Sequence, residues 1–382
     1  MKKFLLIIVC LLCIVGCTFN NDEKVDVSKE ISEDEVVEKR DNYGIFNDYY
    51  DLALKKLNSL SLEEKVGQMI FSRLPSSDVD RAIKDYHVGG FVLFGVDFKN
   101  KTKSQVISQI RSYQDSASIP LLVGVDEEGG SVVRISSNSN LYPHRFDSPM
   151  NIYNKEGIEG IIKDTEEKSK LLKELGLNVN LAPVADVSTD KSDFIYDRTL
   201  GKDEEEVSEY VKTVVGIYND YNVGSCLKHF PGYGNNVDTH TGIAIDNRDY
   251  NNFLENDFLP FRAGIDEGVP SILVSHNIVK SMDKDNPASL SVKVHDILRN
   301  DLGFSGVIMT DDLAMDGVGK YSNNVYVEAV KAGNDLLLTS DYEKTYNDIM
   351  DAINSNEIDI ETINNSVLRV LAWKYKLGLI EE

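Results

Sequence analysis

Short apolar runs recur along this chain, each followed by polar loop residues and then by a longer amphipathic stretch. The runs fall at 68–72, 89–95, 120–125, 178–183, 223–229, 271–276, 306–310 and 335–339. Between them, 163–175, 204–218, 291–302 and 323–332 carry helix-like patterns. Ser61-Leu62-Glu63-Glu64 has the spacing of a capping box, in which a serine hydroxyl and a glutamate carboxylate each satisfy a free backbone N–H at a helix start. Alternation of this kind predicts an α/β fold with a parallel sheet and crossover helices. Repeated eight times, it favours a closed (β/α)8 TIM barrel over an open doubly wound sheet.

The N-terminus departs from this pattern. Met1-Lys2-Lys3 precedes an apolar run over 4–15 and then Gly16-Cys17, the order of charged, apolar and small residues in an export signal. The run is too short to span a bilayer as a helix. Ile14-Val15-Gly16-Cys17 resembles the bacterial lipobox, in which the cysteine becomes a lipidated N-terminus; an ordinary cleaved signal is the alternative. The sequence is therefore expected to divide into a signal peptide over 1–16, an acidic flexible tether over 17–46 and a single catalytic domain over 47–382. The tether reading rests on polar, charged stretches such as Glu33-Asp34-Glu35, which cannot bury enough surface to fold. The expected location is the outer face of the bacterial cytoplasmic membrane, held by the lipid.

Composition narrows the partners. A formal charge of -23 argues against nucleic acid, because phosphate neutralisation needs a basic patch. Of 4 cysteines, Cys10 and Cys13 lie in the signal and Cys17 at the lipid site, which leaves Cys226 in the folded part with no disulfide partner. Its apolar surroundings predict a buried structural thiol. No His, Cys and Glu spacing suggests a catalytic zinc, and Asp283-Lys284-Asp285-Asn286 lacks the glycine and terminal glutamate of a calcium loop. No metal or cofactor is expected.

In a barrel the chemistry gathers at the C-terminal ends of the strands, and polar clusters sit there. Asp126-Glu127 follow the third run, Asp186 the fourth, Lys228-His229 the fifth, Ser275-His276 the sixth and Asp311-Asp312 the seventh. Glycoside hydrolysis needs a carboxylate beside the anomeric carbon and a proton donor on the leaving oxygen. Asp311-Asp312 supplies the first: adjacent side chains at a strand end point apart, so one reaches the substrate and the other is free to cap the next helix. The plainer alternative is that both are caps.

Four stretches then resemble glycoside hydrolase family 3, in particular its β-N-acetylglucosaminidase branch, over most of residues 60 to 380. They are Val125-Asp126-Glu127-Glu128-Gly129-Gly130; Lys228-His229-Phe230-Pro231-Gly232-Tyr233-Gly234 with Asp238-Thr239-His240; Pro287-Ala288-Ser289-Leu290-Ser291; and Gly303-Phe304-Ser305-Gly306-Val307 through Thr310-Asp311-Asp312-Leu313-Ala314-Met315. The resemblance implies Asp311 as the nucleophile of a covalent, retaining mechanism, with Asp312 structural. It also implies that Asp126, Arg134, Arg198, Lys228 and His229 bind the sugar, a task suited to charged groups because their hydrogen bonds are stronger than neutral ones.

Many family members take their acid/base from a second domain, whereas this sequence reads as ending with its barrel near Trp373-Lys374-Tyr375-Lys376-Leu377-Gly378. The proton donor is therefore expected in the barrel loops, where Asp238 orients His240 through one imidazole nitrogen and the other serves the glycosidic oxygen. His87, His144 and His295 read as solvent-exposed, and His276 as lying in or behind the pocket. The sequence departs from the family pattern at Asn235-Asn236-Val237, one residue short before the Asp-Thr-His, and at Tyr233 and Ser131.

The implied activity is exo-cleavage of terminal β-N-acetylglucosamine from peptidoglycan fragments or related glycans. The alternatives are a β-glucosidase or β-xylosidase, an N-acetylglucosaminide phosphorylase, and a non-catalytic sugar-binding lipoprotein.

Overall fold

The structure, a computed structural model, describes residues 41–381 apart from 237–243, 316, 317, 319, 320 and 323. Cys17, the 1–16 segment, most of the 17–46 stretch, and Asp238 and His240 thus lie outside the described residues.

Each of the apolar runs overlaps a strand: β1 (Ile70–Arg73), β2 (Gly90–Leu93), β3 (Leu122–Val125), β4 (Val179–Asn180), β5 (Gly224–Phe230), β6 (Ser271–Val274), β7 (Val307–Thr310) and β8 (Leu337–Thr339). They form an 8-stranded sheet in the order β8-β1-β2-β3-β4-β5-β6-β7, with every pairing parallel. A bridge between Met309 and Leu336 joins β7 to β8 and closes the barrel. The strands read as continuous apolar runs because helices cover their outer face while side chains fill the inside. Gly124 shows the interior packing: a Cβ there would lie 2.6 Å from the tip of the Phe71 ring, which occupies that space.

The helices follow their sequence signals. Ser61 and Glu64 form the expected capping box, Ser61 Oγ accepting from the Glu64 N–H at 3.2 Å and Glu64 Oε2 from the Ser61 N–H at 2.9 Å. The pattern at 163–175 is the end of a longer helix, Pro149–Leu175, which starts on the Ser148 cap and stops where Gly176 turns left-handed at φ 86°. Glu204–Asp220 and Val325–Ala332 match their predicted stretches closely. Among the described residues, no helix is long and apolar enough to cross a membrane.

Two features lie beyond the expected pattern. Packing begins before residue 47: Asp41–Tyr49 is helical, interrupted at Gly44, and Phe46 is fully buried, so the last residues of the 17–46 stretch belong to the domain. A short parallel ribbon, Ile245–Asp246 against Ile278–Val279, forms outside the barrel and ties the loop after β5 to the loop after β6.

Lys374, on the closing helix Ile360–Lys376, is fully buried with its ammonium 2.5 Å from Gln68 Oε1. Burial, with Lys56 nearby, pulls its pKa down to about 7. An unfolded lysine titrates near about 10.4, so between these values the unfolded chain holds a proton that the folded chain has released, and stability rises with pH across that window. Lys374→Met is therefore expected to raise the unfolding temperature near about pH 6, the gain shrinking toward about pH 10. Thermal unfolding of both proteins at the two pH values checks this; a pH-independent difference would contradict it.

Candidate active site

The C-terminal ends of β3, β5 and β7 face one cavity of about 340 Å³. Asp126 and Glu128 enter it from β3, Lys228 and His229 from β5, and Asp311 from β7. Arg134 reaches it from the loop beyond β3, and Arg198 from a single 3-10 turn, Tyr196–Arg198. All six sugar-binding and nucleophile candidates that fall on described residues thus converge, although up to 185 residues separate Asp126 from Asp311.

An ion network organises one wall. Lys228 Nζ lies 2.7 Å from Asp126 Oδ1 and 2.6 Å from Glu128 Oε1. Arg198 grips Glu128 with two bonds, Nε to Oε2 at 3.0 Å and Nη2 to Oε1 at 2.7 Å. Burial alone would raise the Glu128 pKa, but Arg198 and Lys228 overcome it and hold the carboxyl well below the usual carboxylate range. The Lys228 balance runs the same way: burial disfavours its charge, and Asp126 and Glu128 more than restore it, so its pKa is raised. Glu128 and Lys228 thus each favour the charged form of the other. Arg134 sits more loosely, with Nη2 at 3.5 Å from Asp126 Oδ2.

His229 is held from both sides. Its Nδ1 lies 2.7 Å from Asp186 Oδ2, and its Nε2 lies 3.2 Å from Arg198 Nη2. That arrangement suits an imidazole donating from Nδ1 to the carboxylate and accepting the guanidinium N–H at Nε2. Asp186 also accepts the backbone N–H groups of His229 and Tyr233, at 3.1 and 2.6 Å, so one buried carboxylate sets the path of the chain leaving β5.

Glu127, adjacent to two cavity residues, points away from the cavity. Its carboxylate accepts the N–H groups of Arg134, Ile135 and Ser136, at 2.7, 2.7 and 3.1 Å, and the Ser136 hydroxyl. It thereby fixes the loop that carries Arg134.

The Asp311-Asp312 pair divides as sequence geometry suggests. Asp312 Oδ1 accepts the Ala314 N–H at 3.0 Å and Oδ2 the Ser340 hydroxyl at 3.2 Å, so this carboxylate shapes the turn after β7. Burial, together with the Asp311 charge, raises its pKa. Asp311 receives the Asp312 N–H at 2.8 Å on Oδ1 and lines the cavity.

His276 is fully buried behind the site, with Nδ1 2.7 Å from Ser289 Oγ and Nε2 3.0 Å from the Asp312 carbonyl, so it supports the same turn. His144 is exposed and His87 half-buried. His295 corrects its exposed reading: it is buried, its Nδ1 lies 2.8 Å from the Ser291 carbonyl, and burial lowers its pKa. Cys226 is buried as expected, its thiol pushed up to about 12 by burial. Among the described residues, no group of three or more His, Cys, Asp or Glu side chains is arranged to hold a metal ion.

Three side chains in or against the cavity carry no individual assignment from sequence. Glu128 lies inside the Val125-Asp126-Glu127-Glu128-Gly129-Gly130 motif, and Asp186 follows the fourth apolar run, which is the usable signal for both. Arg73, at the end of β1, lines the cavity with its guanidinium 4.3 Å from the centre of the Phe94 ring, and nothing in its local sequence marks it.

Comparison with known proteins places this geometry. Residues 61–373 match the model of the glycosyl hydrolase family 3 N terminal domain. Beta-hexosaminidase of Nitrosomonas eutropha is 32% identical over 269 residues, covering 66% of this chain and 73% of that protein. Beta-hexosaminidase A of Pseudoalteromonas piscicida is 29% identical over 335 residues, 78% of this chain, and the match spans 55% of that longer protein. The solved structure of a glycoside hydrolase family 3 beta-N-acetylglucosaminidase from Paenibacillus sp. str. FPU-7 superposes with a TM-score of 0.79 at 29% identity, covering 85% of this chain and 64% of that one. With a barrel of this topology, a strand-end aspartate opposite a fixed ion network and a family match over most of its length, the chain belongs to glycosyl hydrolase family 3.

Proposed function

We propose that this protein is a retaining exo-β-N-acetylglucosaminidase, acting on terminal β-N-acetylglucosamine of peptidoglycan fragments or related glycans. The observation that carries the reading is the meeting of Asp311 with the Asp126, Lys228, Glu128, Arg198 and His229 network in one cavity. A preformed array of fixed charges holds a sugar ring without reorganising when the transition state forms. The beta-hexosaminidase names of the relatives favour an N-acetylhexosamine over glucose.

In this reading Asp311 Oδ attacks the anomeric carbon as the bond to the leaving oxygen breaks, and His240, oriented by Asp238, gives that oxygen a proton. Water then attacks the glycosyl ester, His240 takes its proton, and the sugar leaves with its configuration retained. Asp312 keeps the turn in shape. Cys17 carries the lipid that holds the protein on the outer face of the membrane.

Aryl β-N-acetylglucosaminide is expected to be cleaved faster than aryl β-glucoside; the reverse order would overturn the reading in favour of a glucosidase. His240→Ala is expected to lower kcat/KM by about 100-fold or more on substrates with poor leaving groups while sparing kcat/KM on activated ones, since only the former need the proton to form the glycosyl ester. Equal losses on both would remove His240 from that role. Product analysis in the presence of phosphate separates hydrolysis from phosphorolysis, with free sugar expected and sugar 1-phosphate contradicting. Labelled palmitate is expected on the wild type and absent from Cys17→Ala.

A further inference from the structure

The chain leaves β5 through Pro231 to Asn236 and returns at Ala244 into the outer ribbon, and a guanidinium lies at the junction. Arg248 spends all its donors there. Its Nε and Nη2 grip Asp246, at 2.9 and 2.7 Å to Oδ2; its Nη1 grips Asp257, at 2.8 Å to Oδ2; and Nη2 also reaches the Gly232 carbonyl at 3.2 Å. The plane lies over Phe253, 4.2 Å from the ring centre. Asp246 in turn accepts from Asn236 Nδ2 at 2.8 Å, which links the outgoing end of the chain to the returning end. Asn236, Asp246 and Asp257 are all buried.

The surrounding backbone is shaped to this group. A Cβ on Gly234, which has φ +56°, would lie 2.5 Å from the Arg248 guanidinium carbon, and one on Gly232 would lie 2.1 Å from Asp257 Oδ1. The next residue, Tyr233, gives its N–H to Asp186, the carboxylate that holds His229. The returning strand is pinned as well: the Asp246 carbonyl accepts the Lys280 N–H at 3.0 Å, and the Ala244 carbonyl the Ile278 N–H at 2.9 Å. Burial pushes Asp257 up to about 7, with Asp186 and Asp246 adding to the rise and Arg248 opposing it. The two carboxylates tolerate each other's company through the cation between them.

We propose that Arg248 is a positioning residue for proton transfer: by tying Asn236, Asp246, Asp257 and the Gly232 carbonyl together, it fixes both ends of the segment that carries Asp238 and His240. The proposal rests on the reading of Asp238 and His240 as the acid/base pair. A planar five-donor fork suits the task, because two carboxylates and a carbonyl are served at once in fixed directions. A lysine ammonium, with three donors on one atom, cannot span them.

The test is Arg248→Lys in the full chain, assayed on 2,4-dinitrophenyl β-N-acetylglucosaminide, whose leaving group departs without a proton, and on N,N′-diacetylchitobiose, whose departing hydroxyl requires one. Expected is a fall in kcat/KM of at least about 10-fold on chitobiose against less than about 3-fold on the activated substrate, with faster amide deuterium exchange confined to peptides covering 237–243. Equal losses on both substrates, no loss on either, or exchange that is unchanged or raised throughout the barrel would overturn the proposal. His240→Ala run in parallel separates the two readings. If it shows no leaving-group selectivity while Arg248→Lys raises exchange at 237–243 alone, the acid/base assignment has failed and the catalytic part of the proposal falls with it. Asn236→Ala, which cuts the link to Asp246 and leaves the Arg248 ion pairs, serves the same assays should Arg248→Lys fail to fold.

Discussion

Asp311→Ala is expected to lower kcat by at least about 1,000-fold while the protein unfolds at nearly the wild-type temperature. The two halves of this expectation have separate causes. The backbone of Asp311 is anchored by its N–H to the Val274 carbonyl at 3.0 Å, a bond the substitution leaves in place. The side chain accepts the Asp312 N–H, and both residues are partly open to solvent, so water can replace that acceptor at little cost. The carboxylate itself has no substitute on its wall of the cavity, since Asp312 is spent on Ala314 and Ser340. Circular dichroism and thermal unfolding measure the first half, steady-state kinetics the second. A variant that kept more than about a tenth of wild-type kcat would show that the nucleophile is elsewhere.

Glu128→Gln is expected to have the largest effect on stability. The Glu128 carboxylate is buried between Lys228 and Arg198, whose side chains are 3% and 16% exposed, so neutralising it leaves Lys228 on Asp126 and takes from Arg198 the carboxylate that it grips. Removing one partner from a buried ion cluster costs about 3–5 kcal/mol, most of it the penalty on the charges left behind. Because the pKa of Glu128 is held far below its unfolded value, its stabilisation is fully present above the usual carboxylate range and is lost only as pH falls through that depressed value. The deficit of the variant should therefore be constant from mildly acidic to alkaline pH. Urea unfolding checks both size and constancy, and a loss under about 1 kcal/mol would mean that the network is not a coupled unit. On the proposed sugar-binding role of Lys228 and Arg198, KM is expected to rise as well, since both lose the carboxylate that holds them.

The strands were legible because two-sided burial in a parallel barrel turns each into a plain apolar run, and the residue that follows a run is delivered to the same rim. That logic carried Asp126, Lys228, His229 and Asp311 to the cavity without any three-dimensional information. It could not rank Asp126, Glu127 and Glu128, three acids in a row. Their fates differ because Arg198, 70 residues later, and Lys228 approach Glu128, while the N–H groups of Arg134 to Ser136 gather around Glu127. Spacing along the chain contains none of that.

The Asp246, Arg248 and Asp257 cluster was silent for a related reason. In sequence it is an ordinary polar stretch, and its meaning comes from the ribbon that folds it back under Gly232 and Asn236. His295 is buried against the exposed expectation because a lone histidine in a helix carries no sign of which face it occupies. Arg134 and Arg198 were identified through motif likeness, and their approach to Asp126 and Glu128 supplies the physical reason for that likeness.

Asp311 is proposed to form the covalent link to the sugar. A slow fluorinated N-acetylglucosaminyl substrate with an activated leaving group holds such an ester long enough for digestion and peptide mass spectrometry. One added sugar is expected on the peptide that contains Asp311, with none on the Asp311→Ala variant. A sugar bound to a different peptide, or turnover of the trap with no adduct and an inverted product, would contradict it.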